Sequence, residues 1–379
     1  MTIKITSYNA VCNLGNDIGI IYDKALKGSI YSFNYFDNFI KGSWLYLGAV
    51  TGKLPEIKNK DYNLRCNRLI LRAIKNIQDK IDRTIDRYGA ENTAVIAAGT
   101  NSGIEEFEAS SSPKHFEQGN SAEFLRGYLG LEGFYTGVST ACSSGIKALS
   151  LGCDLLNSSI AGAVIIACAD ALSKTPLYGF NSLGVLADRP SVPFSANRSG
   201  MNIGEGAAVF ILEKDVSDGI EIMGIGESTD ISHMTNPDEN AVEAVNAFQR
   251  ALEQAGIKPG DIDYINAHGT GTIANDIMEA RAVNEVFGKN TPVSSTKPMT
   301  GHCLGAAAGI ETALCCRLLD DFRGRFFPHI YDGVYDSSLP EIRLVNKDEK
   351  YEKCSICLCS SFGFGGADAA VILGKRDEK

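Results

Sequence analysis

Apolar side chains recur at Ile70, Ala73, Ile74, Ile77, Ile81 and Ile85. Steps of three and four place them on one helical face, so the spacing predicts an amphipathic helix over 65–88. The pattern then changes. Residues 93–98 and 163–169 are short, nearly continuous apolar runs of the length of buried strands. Helical patterns return at 143–157, 241–255 and 303–320. Gly256 suits the position just past the second of these, and Ala306, Ala307 and Ala308 give the third a small-residue face. Residues 262–266 read as a strand that runs into a glycine-rich turn. Residues 355–359 read as a final strand, followed by Gly-Phe-Gly-Gly at 363–366. Between them, 187–206 is loop-like, with Pro190, Pro193, Gly200, Gly204 and Gly206.

Strands and helices alternate throughout, which makes α/β the expected class. At 379 residues the chain is long for one core. The polar segment from Glu213 to Gly219 separates two α/β stretches and marks a boundary near 215–222. No internal repeat is visible in the sequence.

A 44% hydrophobic and 22% charged composition is that of a folded globular protein. The net charge of −10 gives no global attraction to nucleic acid or to an anionic membrane. No apolar run reaches the roughly 18–20 residues of a membrane span, and the first residues lack a secretory pattern. The 11 cysteines, an odd number, therefore read as reduced thiols in a cytoplasm. Cys354, Cys357 and Cys359 lie in a strand-like run with no zinc-spaced Cys/His pair beside them, so they read as core thiols.

Three places suit chemistry. Cys142 lies in Val-Ser-Thr-Ala-Cys-Ser-Ser-Gly, directly before a helical pattern. A helix N-terminus favours the thiolate, the form that accepts an acyl group. Only five histidines exist, and two sit in glycine-flanked turns after strand-like runs: His268 and His302. Such turns open at the mouth of an α/β sheet, where ligands bind. His115 and His329 read as surface or core residues, and His233 lies in a polar loop. Lys297, five residues before His302, has small neighbours and needs a carboxylate to stay charged; Glu311 is the candidate.

Together the segments TACSSG (140–145), NIGEGAAVFILEK (202–214), NAHGTGT with NDIME (266–279), SSTKPMTGHCLGAAAGIE (294–311) and SFGFGG (361–366) resemble the elongating β-ketoacyl-acyl-carrier-protein synthases of the thiolase superfamily. The second partner is a histidine in Thr-Gly-His, similar to the Cys-His-His type. Synthases that start from coenzyme A primers look like Cys-His-Asn enzymes, and thiolases use a second cysteine. The segments 67–70, 99–106 and 169–183 further resemble synthases of aryl-polyene-type pigment clusters.

The resemblance implies a five-layer αβαβα thiolase-like fold of two pseudo-duplicated halves: 1–218 with Cys142, and 219–379 with His268, Lys297 and His302. It implies Cys142 as nucleophile, His268 and His302 as neutral donors to an enolate, and Lys297 with Glu311 supporting the His302 region. The backbone N–H groups of Cys142 and Phe364 would form the oxyanion hole, with the Phe364 ring as a gate. Thr270 and Thr272 would bind the pantetheine arm, Asp276 and Glu279 would support the turn, and Arg65, Arg68 and Arg198 would dock an acidic carrier protein. No metal or redox cofactor is implied, since the substrates ride on phosphopantetheine. The implied assembly is a dimer, either of identical subunits or with a second ketosynthase-like chain.

The sequence departs from the family pattern in places. The family's closing motif has Asn-Ser before Phe and Thr-Asn after Gly-Gly, whereas here Ser360 and Ser361 precede Phe362, and Ala367 and Asp368 follow Gly366. The family shows Asp where Ser195 and Ser199 flank Arg198, and here Pro298 follows Lys297. Two alternatives stay open on these grounds: a non-catalytic or chain-length-determining subunit, and a thiolase-fold enzyme acting on coenzyme A thioesters.

Overall fold

The chain was analysed as a computed structural model that describes residues 2–375. Eleven strands form one sheet. They are β1 (Ile3–Val11), β2 (Thr93–Ala98), β3 (Tyr135–Val138), β4 (Ala163–Asp170), β5 (Gly206–Lys214), β6 (Ile220–Thr229), β7 (Tyr264–Asn266), β8 (Pro292–Ser294), β9 (Arg343–Leu344), β10 (Ile356–Gly363) and β11 (Ala367–Gly374). Across the first half the order is β3-β2-β4-β5-β1; across the second it is β8-β7-β10-β11-β6, with β9 added at the edge. Counted along each half, both orders are 3-2-4-5-1. Pairing directions agree as well: along each order the first two pairings are parallel and the last two antiparallel. The duplication that the residues conceal is plain in the topology. The halves join where β1 pairs with β6, Lys4 opposite Glu221 and Ile5 opposite Ile220. The expected boundary at 218/219 falls in the turn between β5 and β6, and the last residues of the second expected half, 376–379, lie outside the described residues.

Five helices matter for the site: α1 (Arg65–Ile74), α2 (Ser144–Asn157), α3 (Val242–Ala255), α4 (Ile273–Phe287) and α5 (Ala307–Asp320). α2 and α5 touch each other and strands of both halves, so they form the middle layer. α1 covers the outer face of the first half, and α3, backed by α4, covers that of the second. The result is helix, sheet, helix, sheet, helix. Strand alternation divides the core accordingly. In β5, Ala208, Phe210 and Leu212 face the middle layer, while Ala207, Val209 and Ile211 face α1. In β11, Ala369, Val371 and Leu373 face inward, and Ala370 and Ile372 face α3. A strand buried on both faces needs apolar residues at every position, which is why these runs do not alternate in polarity.

The helix expected over 65–88 is two helices, Arg65–Ile74 and Gln78–Tyr88, broken at 75–77. Ile77 leaves helical geometry yet stays buried, so the apolar spacing continues across a break that no glycine or proline announces. The pattern over 303–320 likewise opens with a 3₁₀ turn at Leu304–Ala306 before α5. Gly256 ends α3 in the left-handed region, as its position predicts. No helix among the described residues is long and apolar enough to cross a membrane.

The middle layer is tightest where Gly145 of α2 meets Gly309 of α5. A Cβ on Gly145 would lie 2.6 Å from the Gly309 nitrogen. Backbone cannot yield there as a flexible side chain would. Gly145→Ala is expected to destabilise the protein by about 1–3 kcal/mol, the usual cost of overpacking. Denaturant unfolding of wild type and variant measures it; an unchanged midpoint would show that the two helices can part without loss.

Candidate active site

The two middle helices deliver the two reactive groups. Cys142 follows β3 and precedes α2; His302 follows β8 and precedes α5. These are equivalent places in the two halves, and they meet: Cys142 Sγ lies 3.1 Å from His302 Nε2. His268, just after β7, sets its ring edge-on to His302 with centroids 5.3 Å apart. All three line one cleft of about 1050 Å3, open to solvent, with Thr270, Thr272 and Phe364.

The turn at the thiol is strained and braced. Ala141 has φ +52°, a left-handed conformation that costs a non-glycine residue roughly 1–2 kcal/mol. Ser144 Oγ accepts from the Thr140 N–H at 2.9 Å and donates to the Ala141 carbonyl at 2.6 Å. Ser361 Oγ donates to the Cys142 carbonyl at 2.9 Å. Ser361 stands where the family's closing motif also has a serine, so this brace is not one of the departures.

The Leu304 N–H donates to His302 Nδ1 at 3.1 Å. A neutral imidazole that accepts at Nδ1 carries its proton on Nε2, so that N–H points at Cys142. Burial, followed by Lys297, holds both imidazoles well below the usual histidine range, and His302 adds to the effect on His268. Both are neutral near pH 7. The expectation of a resting thiolate fails for the same reason. Burial pushes the Cys142 thiol up to about 11, and Lys297 and the Phe364 backbone N–H only partly oppose it. The helix terminus is present, but desolvation wins.

Lys297 Nζ sits 2.5 Å from Glu311 Oε1, with 2% and 1% of the side chains exposed. Burial raises the Glu311 carboxyl to about 7, and Lys297 pulls against it. Below His268, Glu279 accepts from the His268 and Gly269 N–H groups at 2.7 and 2.6 Å, and Ser360 Oγ donates to it at 2.9 Å. Asp276 accepts from the Phe194 N–H at 2.7 Å and the Gly271 N–H at 3.2 Å; burial raises it to about 7. Thr270 and Thr272 are joined through their hydroxyls at 2.9 Å.

The expected docking arginines separate. Arg198 is 4% exposed and pairs with Asp336 at 2.6 Å, with Asp276 at 3.8 Å. It ties two loops together and offers no free charge to a partner. Arg65 is neutralised by Glu205, which is fully buried and also accepts from the Val50 and Leu172 N–H groups. Arg68 alone stays half-exposed without an ion pair among the described residues. His329 is a core residue: its Nδ1 accepts from the Ser295 N–H and its Nε2 donates to the Pro193 carbonyl. His233 lines the cleft.

Sequence reasoning missed Glu205 and Asp170. Asp170 ends β4 fully buried and accepts from the Thr100, Asn101 and Gly305 N–H groups. A carboxylate closing a seven-residue apolar run was the available signal. At the mouth, the Gly365 N–H donates to the Met234 carbonyl at 2.7 Å and the Asp230 N–H to the Gly366 carbonyl at 2.9 Å. Asp368 lines this end of the cleft, its carboxyl raised to about 8 by burial and then by Asp230 and Glu243. Cys142 Sγ and one ring nitrogen each of His268 and His302 lie within 4.8 Å of one another, so a soft cation could be held there.

A duplicated αβαβα fold with a thiol between two neutral imidazoles defines a thiolase-type condensing enzyme. Family models agree: residues 85–217 match the β-ketoacyl synthase N-terminal domain and residues 220–323 its C-terminal domain. The chain belongs to the β-ketoacyl synthase family. It is 33% identical over 274 residues to 3-oxoacyl-[acyl-carrier-protein] synthase 2 of Coxiella burnetii, a match that takes in 65% of this chain and 63% of that relative. With 3-oxoacyl-[acyl-carrier-protein] synthase 2 of Staphylococcus aureus it is 27% identical, covering 98% of each. Among solved structures, the ketosynthase ApeO, in complex with its chain length factor ApeC from Xenorhabdus doucetiae, superposes with TM-score 0.93 at 35% identity, covering 99% of this chain and 98% of that one.

Replacing Lys297 by methionine removes the fixed cation and leaves Glu311 buried alone. We expect a loss of about 3–5 kcal/mol in stability from the broken pair. With Glu311 also changed to glutamine, that penalty largely disappears and the imidazoles remain without their cation. Their pKa values then rise. With the imidazoles acting as the neutral donors the resemblance implies, the acid limb of the pH–rate profile is expected to move to higher pH. An unmoved limb in the double variant would remove Lys297 from the electrostatics of the site.

Proposed function

We propose that the protein catalyses a decarboxylative Claisen condensation between an acyl group held on Cys142 and malonyl carrier protein. The observation that carries this reading is the 3.1 Å approach of Cys142 Sγ to the His302 N–H, with His268 beside it in the same cleft. The Cys142 thiol attacks the carbonyl carbon of an acyl thioester on a carrier's phosphopantetheine. Its proton passes to the departing pantetheine sulfur. The N–H groups of Cys142 and Phe364 receive the developing oxyanion, each worth roughly 3–4 kcal/mol. Malonyl carrier protein follows. As its carboxylate leaves as CO2, the enolate oxygen accepts from His268 and His302. The enolate carbon attacks the acyl-cysteine, the C–S bond breaks, and the released thiolate takes a proton from solvent. Thr270 and Thr272, which line the cleft, would receive the pantetheine arm, and Phe364, whose ring lies 5.9 Å from that of Phe180 in the same cleft, would act as the gate. Glu279 and Asp276 position the His268 turn.

The acidic carrier needs a positive landing site, and Arg68 is the member of the expected set left for it. The partner chain is inferred from two observations. β3 is the outermost strand of its half, with Phe134 and Tyr135 exposed beside it, so its edge invites a second strand. The resemblance to ApeO, solved with a chain length factor, favours a second ketosynthase-like chain over an identical one and an aryl-polyene-type product over a general fatty acid.

Intact mass after incubation with a panel of acyl carrier proteins tests the core of this reading. Wild type is expected to gain the acyl group and Cys142→Ala is not. No adduct from any chain, with or without the co-expressed partner, would assign the protein to the non-catalytic subunits. Adducts formed as readily from coenzyme A thioesters would assign it to the other alternative. Arg68→Glu is expected to raise the carrier KM several-fold and weaken its salt dependence; unchanged kinetics would exclude Arg68 from docking.

A further inference from the structure

A second thiol cluster lies away from the nucleophile, where β10 begins against α5. Cys354 Sγ is 3.3 Å from Cys357 Sγ. Cys357 and Cys359 point to the same face of β10, and both reach Cys315 of α5 with hydrogen bonds. Cys357 and Cys359 stand opposite Tyr264 and Asn266 of β7, and the Asn266 side chain also reaches Cys315. Cys357, Cys359 and Cys315 are buried, whereas Cys354 is half-exposed and precedes the strand, outside the ladder.

We propose that Cys354 and Cys357 form an oxidisable dithiol that peroxides convert to an internal disulfide. Four features support this assignment. The sulfurs are already in van der Waals contact, and forming the bond requires them to close by little more than an ångström. The half-exposed member gives an oxidant access. The loop position of Cys354 lets it move without breaking strand hydrogen bonds. The bond to Cys315 orients the Cys357 sulfur. The chemistry balances as a two-electron oxidation. Cys354 sulfur attacks one peroxide oxygen, the O–O bond breaks, and water leaves with a sulfenic acid on Cys354. Cys357 sulfur displaces the sulfenic hydroxyl as a second water, giving the disulfide.

The test uses the Cys142→Ala protein, so that oxidation of the nucleophile cannot contribute. Treatment with hydrogen peroxide is expected to remove two hydrogens from the intact mass, reversibly with dithiothreitol, and fragmentation is expected to join Cys354 to Cys357. Cys354→Ser in that background abolishes the loss; Cys153→Ser, at another half-exposed thiol, does not. No loss of two hydrogens, or a loss that persists in Cys354→Ser through a Cys315–Cys357 bond, overturns the proposal.

Discussion

Two helices cross in the middle of this molecule closer than side chains permit, and the site depends on that crossing. Gly145 and Gly309 bring the backbones of α2 and α5 together. Each helix begins a few residues after a side chain of the site: α2 at Ser144 after Cys142, and α5 at Ala307 after His302. Packing the helices therefore also positions the chemistry. Thiol and imidazole come from opposite halves, 160 residues apart in the chain, yet they meet at hydrogen-bonding distance. A larger residue at Gly145 would push the two starts apart, and a displacement of an ångström is enough to impair an attack geometry.

Burial around the thiol and the imidazoles sets their charge states. Removing water penalises every ion, so His268 and His302 stay neutral and Cys142 keeps its proton. Lys297 is the cation in this interior, held against Glu311. Its effect on the imidazoles and on the thiol has one sense: it disfavours added positive charge and favours added negative charge. Both serve a reaction whose intermediates are anionic, a tetrahedral oxyanion and an enolate. Neutral N–H donors stabilise such charge without having to lose a proton to it.

Much of this was legible in the sequence. The strands at 93–98 and 163–170, buried on both faces, are nearly continuous apolar runs, Cys142 stands directly before a helical pattern, and His268 and His302 stand in turns ill suited to core filling. What stayed hidden depends on distance in space. The break at Ile77 left its side chain buried, so the helical spacing survived it. The thiol's resting state depended on burial, which a local reading of the helix terminus does not contain. Arg198 and Arg65 resembled surface charge because their partners, Asp336 and Glu205, lie 138 and 140 residues away. The duplication, which the family resemblance implied, shows no repeat in the residues because it survives in strand order and direction, which constrain only which positions are apolar.

The mouth of the cleft shows how a departure from a family pattern can coexist with its mechanism. The turn at 363–366 must present the Phe364 N–H to the thiol, and its far side rests on the loop that begins at Asp230. A Cβ on Gly366 would lie 1.7 Å from the Asp230 carbonyl oxygen, so no other residue fits while that contact holds. The contact is made of backbone, through the Gly365 and Asp230 N–H groups. Side chains beyond it are freer to change. Asp368 can replace an amide there because burial and the neighbouring Asp230 and Glu243 keep its carboxyl protonated near pH 7. A protonated carboxyl, like an amide, offers both donor and acceptor without a net charge. The Phe364 N–H, the proposed oxyanion donor, is thus fixed by glycines and main chain, while the chemistry of the surrounding wall remains open to variation.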